Sequence, residues 1–205
     1  MNRTICVFAS SSDHVSEIYY KKAEELGGLI ARGGDSLIFG AGDIGLMGAI
    51  GRAVKSGGGR TVGVIPEILN RKGIVFSNPD ELIVTPTMGE RKQIMEDRAD
   101  AFIGLPGGFG TLEEIIEVIT LKQLGYHNKA IVLLNTNSFY DSLNDLFDEL
   151  FRERFIDDVF RDLYYIADEP IAAMEYLDNY RPKEYKDKPP HKVRGQDLTA
   201  PDDIF

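Results

Sequence analysis

The residues best suited to chemistry lie in one stretch, LPGGFGTLEE, from Leu105 to Glu114. Gly107, Gly108 and Gly110 leave backbone N–H groups uncovered directly before a helical pattern. The first amides of a helix lack partners and lie at the positive end of its dipole, so this loop is typical of an anion site, most often for a phosphate. No Gly-Lys-Ser/Thr follows, which favours a mononucleotide or sugar phosphate over a triphosphate bound with magnesium.

Two glutamates, Glu113 and Glu114, follow this loop and allow two interpretations. In the first, Thr111 and Glu114 form a capping box that only stabilises the start of the helix. In the second, Glu114 stays ionised beside the positive helix end and acts on the sugar of a bound nucleotide. The first interpretation accounts for Glu114 but not for Glu113. Two carboxylates beside a phosphate site would repel the phosphate unless cations lie nearby, so the second interpretation requires such cations.

Cations are available in the segment MGERKQIMEDRAD, which is predicted to be helical over Met88–Asp97. Arg91 and Arg98 share one helical face, and Lys92 lies beside it. These residues can form a solvated basic surface, or Arg91 can face the glycine loop and serve phosphate or substrate. The pattern alone leaves both interpretations open.

A second glycine loop, GAGDIG from Gly40 to Gly45, matches the dinucleotide pattern G-x-G-x-x-G. It follows a predicted strand and opens a predicted helix, so it can contact a nucleotide. Alternatively, Gly45, Gly48 and Gly51 let that helix pack close to the sheet. The motif is a weak indication in a chain with 21 glycines.

Short apolar runs alternate with helical patterns along the whole chain. The predicted strands cover residues 4–9, 36–39, 61–65, 81–85, 100–105, 129–134 and 162–167, and the predicted helices cover residues 15–32, 46–56, 88–97, 111–124, 138–154 and 170–180. This order predicts an α/β fold with a mainly parallel sheet and helices on both faces. Ligands of such folds bind beyond the carboxyl ends of the strands.

Residues 1–180 are predicted to form a single nucleotide-binding catalytic domain. Residues 181–205 are rich in proline and charge and have no periodicity, so we expect a tail that is flexible or draped over a neighbour.

Composition excludes several classes of function. The net charge is −10 and no basic stripe is present, so we expect no nucleic-acid partner. His14, His127 and His191 have no metal-type spacing. The single cysteine, Cys6, cannot form an internal disulfide and lies in an apolar run, so it is interpreted as a buried thiol in a reducing compartment. No signal peptide or membrane span is visible, and we expect a cytoplasmic protein without a membrane partner.

The segments ERK and PGGFGTLEE together resemble the Lonely Guy (LOG) family of cytokinin riboside 5'-monophosphate phosphoribohydrolases. The family signature P-G-G-x-G-T-x-x-E follows an Arg-Lys pair, and both occur here, with Arg91 and Glu114 standing 23 positions apart. The segments CVFASSS, GLMGA, VGVIPE and KQLGYH match further landmarks. The resemblance covers about Ile5 to Asp178.

This resemblance implies a Rossmann-like fold, a homodimer or higher homo-oligomer, and hydrolysis of the N-glycosidic bond of a purine nucleoside 5'-monophosphate. It implies Arg91 and Glu114 as the catalytic pair, with no metal or other cofactor. A carboxylate near C1' suits this reaction because positive charge builds on the ribose as the bond breaks. The substrate contacts that it implies are Met88, Lys92, Gly107, Gly108, Phe109, Gly110, Thr111, Leu112, Glu113 and Thr120.

The chain departs from the family pattern at three places. Gly89 stands where members usually have histidine, Ala41 stands within what is usually a run of three glycines, and no carboxylate lies near Gly73. These differences concern base selectivity and favour AMP-like hydrolysis over a cytokinin-specific role.

Three alternative functions remain open at this point. A protein of the same fold can hold a nucleotide or phosphorylated ligand without hydrolysing it. A lysine decarboxylase would need a pyridoxal cofactor on a lysine, for which the sequence offers no dedicated site. An NAD-dependent oxidoreductase would use the GAGDIG loop.

Overall fold

The fold is an α/β sandwich, seen in a computed structural model that describes residues 2–183. The predicted tail therefore lies outside the described residues except at 181–183. The strands are β1 Thr4–Phe8, β2 Ser36–Phe39, β3 Arg60–Pro66, β4 Glu81–Thr85, β5 Ala101–Gly104, β6 Ala130–Leu134 and β7 Tyr165–Ala167. The α-helices are α1 Glu17–Arg32, α2 Gly45–Ser56, α3 Met88–Arg98, α4 Phe109–Leu124, α5 Asp141–Arg152 and α6 Pro170–Asn179.

The seven strands form one sheet in the order β4-β3-β2-β1-β5-β6-β7, and every pairing between neighbours is parallel. The chain builds outward from β1 to β4 on one side and then crosses to β5 on the other. The carboxyl ends of β1 and β5 therefore meet at the point where the strand order reverses, with Phe8 beside Gly104. In open α/β sheets this crevice is the usual place for a ligand.

Apolar side chains form a core on each face of the sheet. One core contains Leu26 of α1, Ile50 of α2 and Leu177 of α6. The other contains Met95 of α3 and Val118 of α4. Both faces of the sheet are thus covered by helices, which confirms the predicted architecture.

The start of α4 differs from the prediction. The helix begins at Phe109. Its N-cap residue is Gly108, which has no side chain that could cap the helix. Thr111 therefore lies inside the first turn, where its side chain occupies the space that a Cβ on Gly107 would need. The predicted capping box of Thr111 and Glu114 is wrong, because the glycines allow the chain to enter the helix before it reaches Thr111.

Within the described part of the chain, no helix combines the length and the apolar character needed to cross a bilayer.

Candidate functional site

A buried ion pair joins the first turn of α3 to the second turn of α4 at the carboxyl edge of the sheet. Nη1 of Arg91 lies 3.2 Å from Oε1 of Glu114. Arg91 is 8% exposed and Glu114 is 7% exposed. This burial excludes the interpretation of Arg91 as a solvated surface residue, since charged side chains are almost never fully buried unless they are paired.

The guanidinium of Arg91 is held from two further directions. Its Nε donates to the carbonyl of Val64 in β3 at 3.2 Å, and its Nη1 donates to Sδ of Met88 at 3.0 Å. Arg98, which shares a helical face with Arg91 in the sequence pattern, lies at the other end of α3. It pairs there with Glu81, the first residue of β4, at 2.7 Å. Only the N-terminal part of α3, from Met88 to Lys92, therefore contributes to the site.

The protonation of Glu114 is set by two opposing effects. Burial raises the pKa of Glu114 above the ordinary value of a glutamate, and the positive charge of Arg91 opposes this shift. A carboxyl whose pKa is raised toward neutrality can exchange a proton with a reacting group more readily than an exposed glutamate can.

A second cluster of charges lies at the rim of the site. The ammonium of Lys92 contacts the carboxylate of Glu113 and lies 2.7 Å from Oε2 of Glu117. Burial lowers the pKa of Lys92, but its hydrogen bonds with Glu113 and Glu117 outweigh this, and the net shift is upward. Lys92 therefore holds the carboxylates of Glu113 and Glu117 and stays charged.

The glycine loop presents main-chain donors beside this pair. The first hydrogen bond within α4 runs from the amide of Leu112 to the carbonyl of Gly108 at 3.0 Å. The amides of Phe109, Gly110 and Thr111 therefore precede the helical ladder. A Cβ added to Gly108 or Gly110 would meet no atom within 4 Å, and neither residue has a positive φ. The packing of the protein thus does not require glycine at either position.

A buried tyrosine supports the strand end before this loop. The hydroxyl of Tyr140 donates to the carbonyl of Leu105 at 2.7 Å, and the amide of Leu105 donates to the carbonyl of Phe8 at 2.9 Å. Burial raises the pKa of Tyr140, which keeps its hydroxyl protonated as a donor. Leu105 is therefore fixed from both sides, immediately before the glycines.

The GAGDIG loop is built differently. The amide of Met47, in the first turn of α2, donates to the carbonyl of Ser10 at 3.1 Å. Gly45 has a φ of +63°, and main-chain atoms of Ser10, Ser11 and Ser12 lie within 2.7 Å of the place a Cβ would take. The connection after β1 thus covers the start of α2. This favours close packing over a dinucleotide site as the reason for Gly45.

The structure brings most of the predicted residues together. Met88, Arg91 and Lys92 of α3 face the segment from Gly107 to Glu114, in which the side chain of Phe109 is 93% exposed. Leu112 points elsewhere, because its side chain packs against the core beneath α4. Thr120 lies six residues beyond Glu114, or about 9 Å further along the helix axis.

Thr120 therefore does not reach the pair within one chain, and its hydroxyl donates to the carbonyl of Ile116 at 2.7 Å.

Sequence reasoning missed three groups that support the site: the carbonyl of Val64, the carboxylate of Glu117 and the hydroxyl of Tyr140. Glu117 stands four residues after Glu113, so helical spacing could have indicated it. Nothing local to Val64 or Tyr140 marks either residue, because both contacts join distant parts of the chain. Among the described residues, no group of three or more His, Cys, Asp and Glu side chains could hold a metal ion.

Known proteins resemble the chain along most of its length. A family model described as possible lysine decarboxylase matches residues 47–177. A probable cytokinin riboside 5'-monophosphate phosphoribohydrolase of Oryza sativa subsp. japonica is 42% identical over 185 residues, which are 90% of this chain and 74% of the relative. A cytokinin riboside 5'-monophosphate phosphoribohydrolase of Arabidopsis thaliana is 40% identical over 181 residues, which are 88% of this chain and 85% of the relative.

Solved structures of another functional class share the fold. The molybdenum cofactor carrier protein from Chlamydomonas reinhardtii superposes with a TM-score of 0.67 at 25% identity, covering 88% of this chain and 100% of the carrier. The molybdenum cofactor binding protein from Rippkaea orientalis gives a TM-score of 0.66, also at 25% identity, over 87% of this chain and 96% of that protein.

Proposed function

The chain belongs to the LOG family, whose sequence model carries the description possible lysine decarboxylase, and from this premise we propose that it is a nucleoside 5'-monophosphate phosphoribohydrolase. It hydrolyses the N-glycosidic bond of purine nucleoside 5'-monophosphates and releases the free base and ribose 5-phosphate. The observation that carries this proposal is the buried pair of Arg91 and Glu114, directly beside the free amides at the start of α4.

The 5'-phosphate binds at the glycine loop. The amides of Phe109, Gly110 and Thr111 donate to phosphate oxygens at the positive end of the α4 dipole. Glycine at positions 108 and 110 lets the ligand approach the backbone, since a Cβ there would point into open space. Binding the phosphate fixes where C1' lies relative to Glu114.

Glu114 acts on the sugar. As the C1'–N9 bond breaks, its electron pair leaves with the base and positive charge develops on the ribose. The ionised carboxylate stabilises that charge and accepts a proton from the water that attacks C1'. This proton then neutralises the departing base, which leaves as free purine, and Glu114 returns to its ionised form. Burial favours the protonated form of Glu114, and the positive charge of Arg91 opposes this by lowering the pKa of Glu114. The remaining N–H donors of Arg91 orient the ribose. Because the carboxylate must be ionised, kcat rises with pH through the raised pKa of Glu114.

A panel of nucleoside 5'-monophosphates tests the reaction, with base release measured by chromatography. We expect release of adenine from AMP, and Glu114→Gln should lower kcat by at least about a thousandfold while the protein stays folded. Glu113→Gln makes the same change at the neighbouring glutamate and is the matched control. It should change kcat by less than about tenfold. Near-wild-type turnover by Glu114→Gln would contradict the catalytic role of this residue.

The similarity of this chain to the molybdenum cofactor carrier proteins suggests a second candidate function. In it, the protein is a carrier that binds a phosphorylated ligand without hydrolysing it. The glycine loop alone would serve such a carrier, but the buried pair of Arg91 and Glu114 would have no function in it. Binding of AMP without release of adenine, in both wild type and Glu114→Gln, is the result that a carrier predicts.

We further propose a homodimer or higher homo-oligomer and a cytoplasmic location. The oligomer is supported by two exposed apolar side chains of α4, Ile116 and Leu124. In a symmetric dimer through this helix, Thr120 and Gln123 would lie near the active site of the partner subunit. The location rests on the single cysteine, Cys6, which is buried in β1 and suits a reducing compartment.

A further inference from the structure

Gly40, the first residue of the GAGDIG loop, lies against the guanidinium of Arg91. It follows β2 at the carboxyl edge of the sheet and is buried. A Cβ added to Gly40 would lie 1.8 Å from Nη2 of Arg91 and 2.9 Å from its Cζ. The guanidinium therefore occupies the space that a side chain at position 40 would take.

The backbone of Gly40 does not itself require glycine. Its φ lies outside the left-handed region, whereas Gly45 in the same loop has a φ of +63°. An L-residue could therefore adopt the conformation of Gly40 without strain. Apart from Arg91, the nearest atom to the added Cβ would be Sδ of Met47 at 3.2 Å, and a methionine side chain adapts easily.

Arg91 cannot move aside without loss. Its planar guanidinium is held by the carbonyl of Val64, by Sδ of Met88 and by Glu114. A methyl group at position 40 would have to displace Nη2 by about 1.5 Å to restore an ordinary van der Waals separation. Because the group is rigid, such a shift breaks at least one of the three contacts.

We propose that Gly40 is a positioning residue for Arg91, since the missing side chain makes room for the guanidinium in contact with Glu114. This inference rests on the proposed function of the Arg91 and Glu114 pair. It gives the first glycine of the G-x-G-x-x-G pattern a role in the phosphoribohydrolase site that involves no dinucleotide. Gly40 acts through Arg91 and does not itself touch the reacting atoms.

The activity of Gly40→Ala tests this role with AMP as substrate. We expect kcat/KM to fall by at least about a hundredfold, because a displacement of this size at a catalytic group has that effect. The loss should appear in kcat more than in KM, since the glycine loop that binds the phosphate is untouched. The acid limb of the pH–rate profile should move to higher pH, because a displaced Arg91 no longer opposes the effect of burial on the pKa of Glu114.

A double-mutant cycle of Gly40→Ala and Arg91→Ala isolates the contact between position 40 and the guanidinium of Arg91. Gly40→Ala should lower Tm in the wild-type background and leave Tm nearly unchanged in the Arg91→Ala background, where the guanidinium is absent. The double variant should be no less active than Arg91→Ala alone. If Gly40→Ala alone does not fold, recovery of folding in the double variant supports the proposal, and a double variant that also fails to fold overturns it.

Gly28→Ala is the matched control. A Cβ on Gly28, in α1, would approach only the flexible end of Arg32, at 3.1 Å. This variant should keep wild-type kcat/KM and the wild-type pH profile. An unchanged kcat/KM and acid limb in Gly40→Ala, or an equal loss of Tm in both Arg91 backgrounds, would overturn the role of Gly40. If wild type releases base from no nucleoside monophosphate, the proposed function fails, while the Tm cycle still decides the contact.

Discussion

Arg91 and Glu114 are each costly to bury, and each makes the burial of the other possible. Removing one partner of such a pair leaves an uncompensated charge in a low-dielectric site, and this commonly destabilises a protein by several kcal/mol. The presence of both residues at the carboxyl edge of the sheet is therefore better explained by the proposed chemistry than by stability. Arg98, on the same helix, shows the contrast, since its ion pair with Glu81 is partly exposed to solvent and such pairs contribute little.

Arg91→Ala should lower kcat/KM for AMP by at least about a hundredfold, or ~2.7 kcal/mol of transition-state stabilisation. It should also lower the free energy of unfolding by about 3–5 kcal/mol at pH 8, because Glu114 is left buried and unpaired. Burial alone then raises the folded-state pKa of Glu114 above its unfolded value, so stability is kept at low pH and lost as pH rises through the folded pKa. Chemical denaturation at pH 5 and pH 8 measures this difference.

Two variants make this prediction sharper. Arg91→Lys should recover activity only in part, since a point charge does not reproduce the planar guanidinium. Arg98→Ala should keep wild-type activity and change stability by less than about 1 kcal/mol. AMP hydrolysis by Arg91→Ala at the wild-type rate would show that Arg91 has no part in the chemistry.

At the scale of the element, the start of α4 decides what the site can bind. The chain contains Thr-x-x-Glu at Thr87–Glu90 and again at Thr111–Glu114. The first caps its helix, because the hydroxyl of Thr87 accepts from the amide of Glu90 at 3.1 Å. The second does not, because α4 has already begun at Phe109, and Glu114 turns to Arg91 instead. Gly108, at the N-cap of α4, has no side chain to bond the first amides, so those of Phe109, Gly110 and Thr111 are left for a ligand.

Gly110→Ala tests this helix start. The added Cβ meets no protein atom within 4 Å, and alanine favours a helix over glycine by up to about 1 kcal/mol, so the protein should be as stable as wild type or more stable. The methyl group should nevertheless obstruct the phosphate, raise KM for AMP by at least about tenfold and weaken competitive inhibition by inorganic phosphate. Unchanged KM and inhibition, measured beside Gly28→Ala, would refute phosphate binding at this loop.

At the scale of the whole molecule, the two cores and the all-parallel sheet leave α4 with apolar side chains on two sides. Ile115 and Val118 lie on the side of α4 that faces the sheet and belong to the core there. Ile116 is 38% exposed and Leu124 is 51% exposed. A helix that is apolar on more than one side needs a second surface to cover it. This arrangement supports a second copy of the chain as the partner of α4.

Light scattering at micromolar concentration should give the mass of a dimer or a higher oligomer. Ile116→Asp should shift the mass toward the monomer and lower activity, because Thr120 would lose its place near the partner's site. Leu146→Asp, which likewise replaces an exposed apolar side chain but on α5, should leave the mass unchanged. A wild-type monomer with full activity would contradict the oligomer.

The sequence by itself determined the order of elements and the parallel sheet, and it predicted an anion-binding loop after β5 and a catalytic role for Arg91 and Glu114. These follow from local signals, because hydrophobic periodicity, glycine clusters and a family motif are read within a few consecutive residues. Only the tertiary structure decided that Arg91 is buried, that Thr111 does not cap α4, and that Gly40 makes room for the guanidinium. Those outcomes depend on contacts between β2, β3, α3 and α4, and no local pattern specifies which distant atoms will compete for the same space.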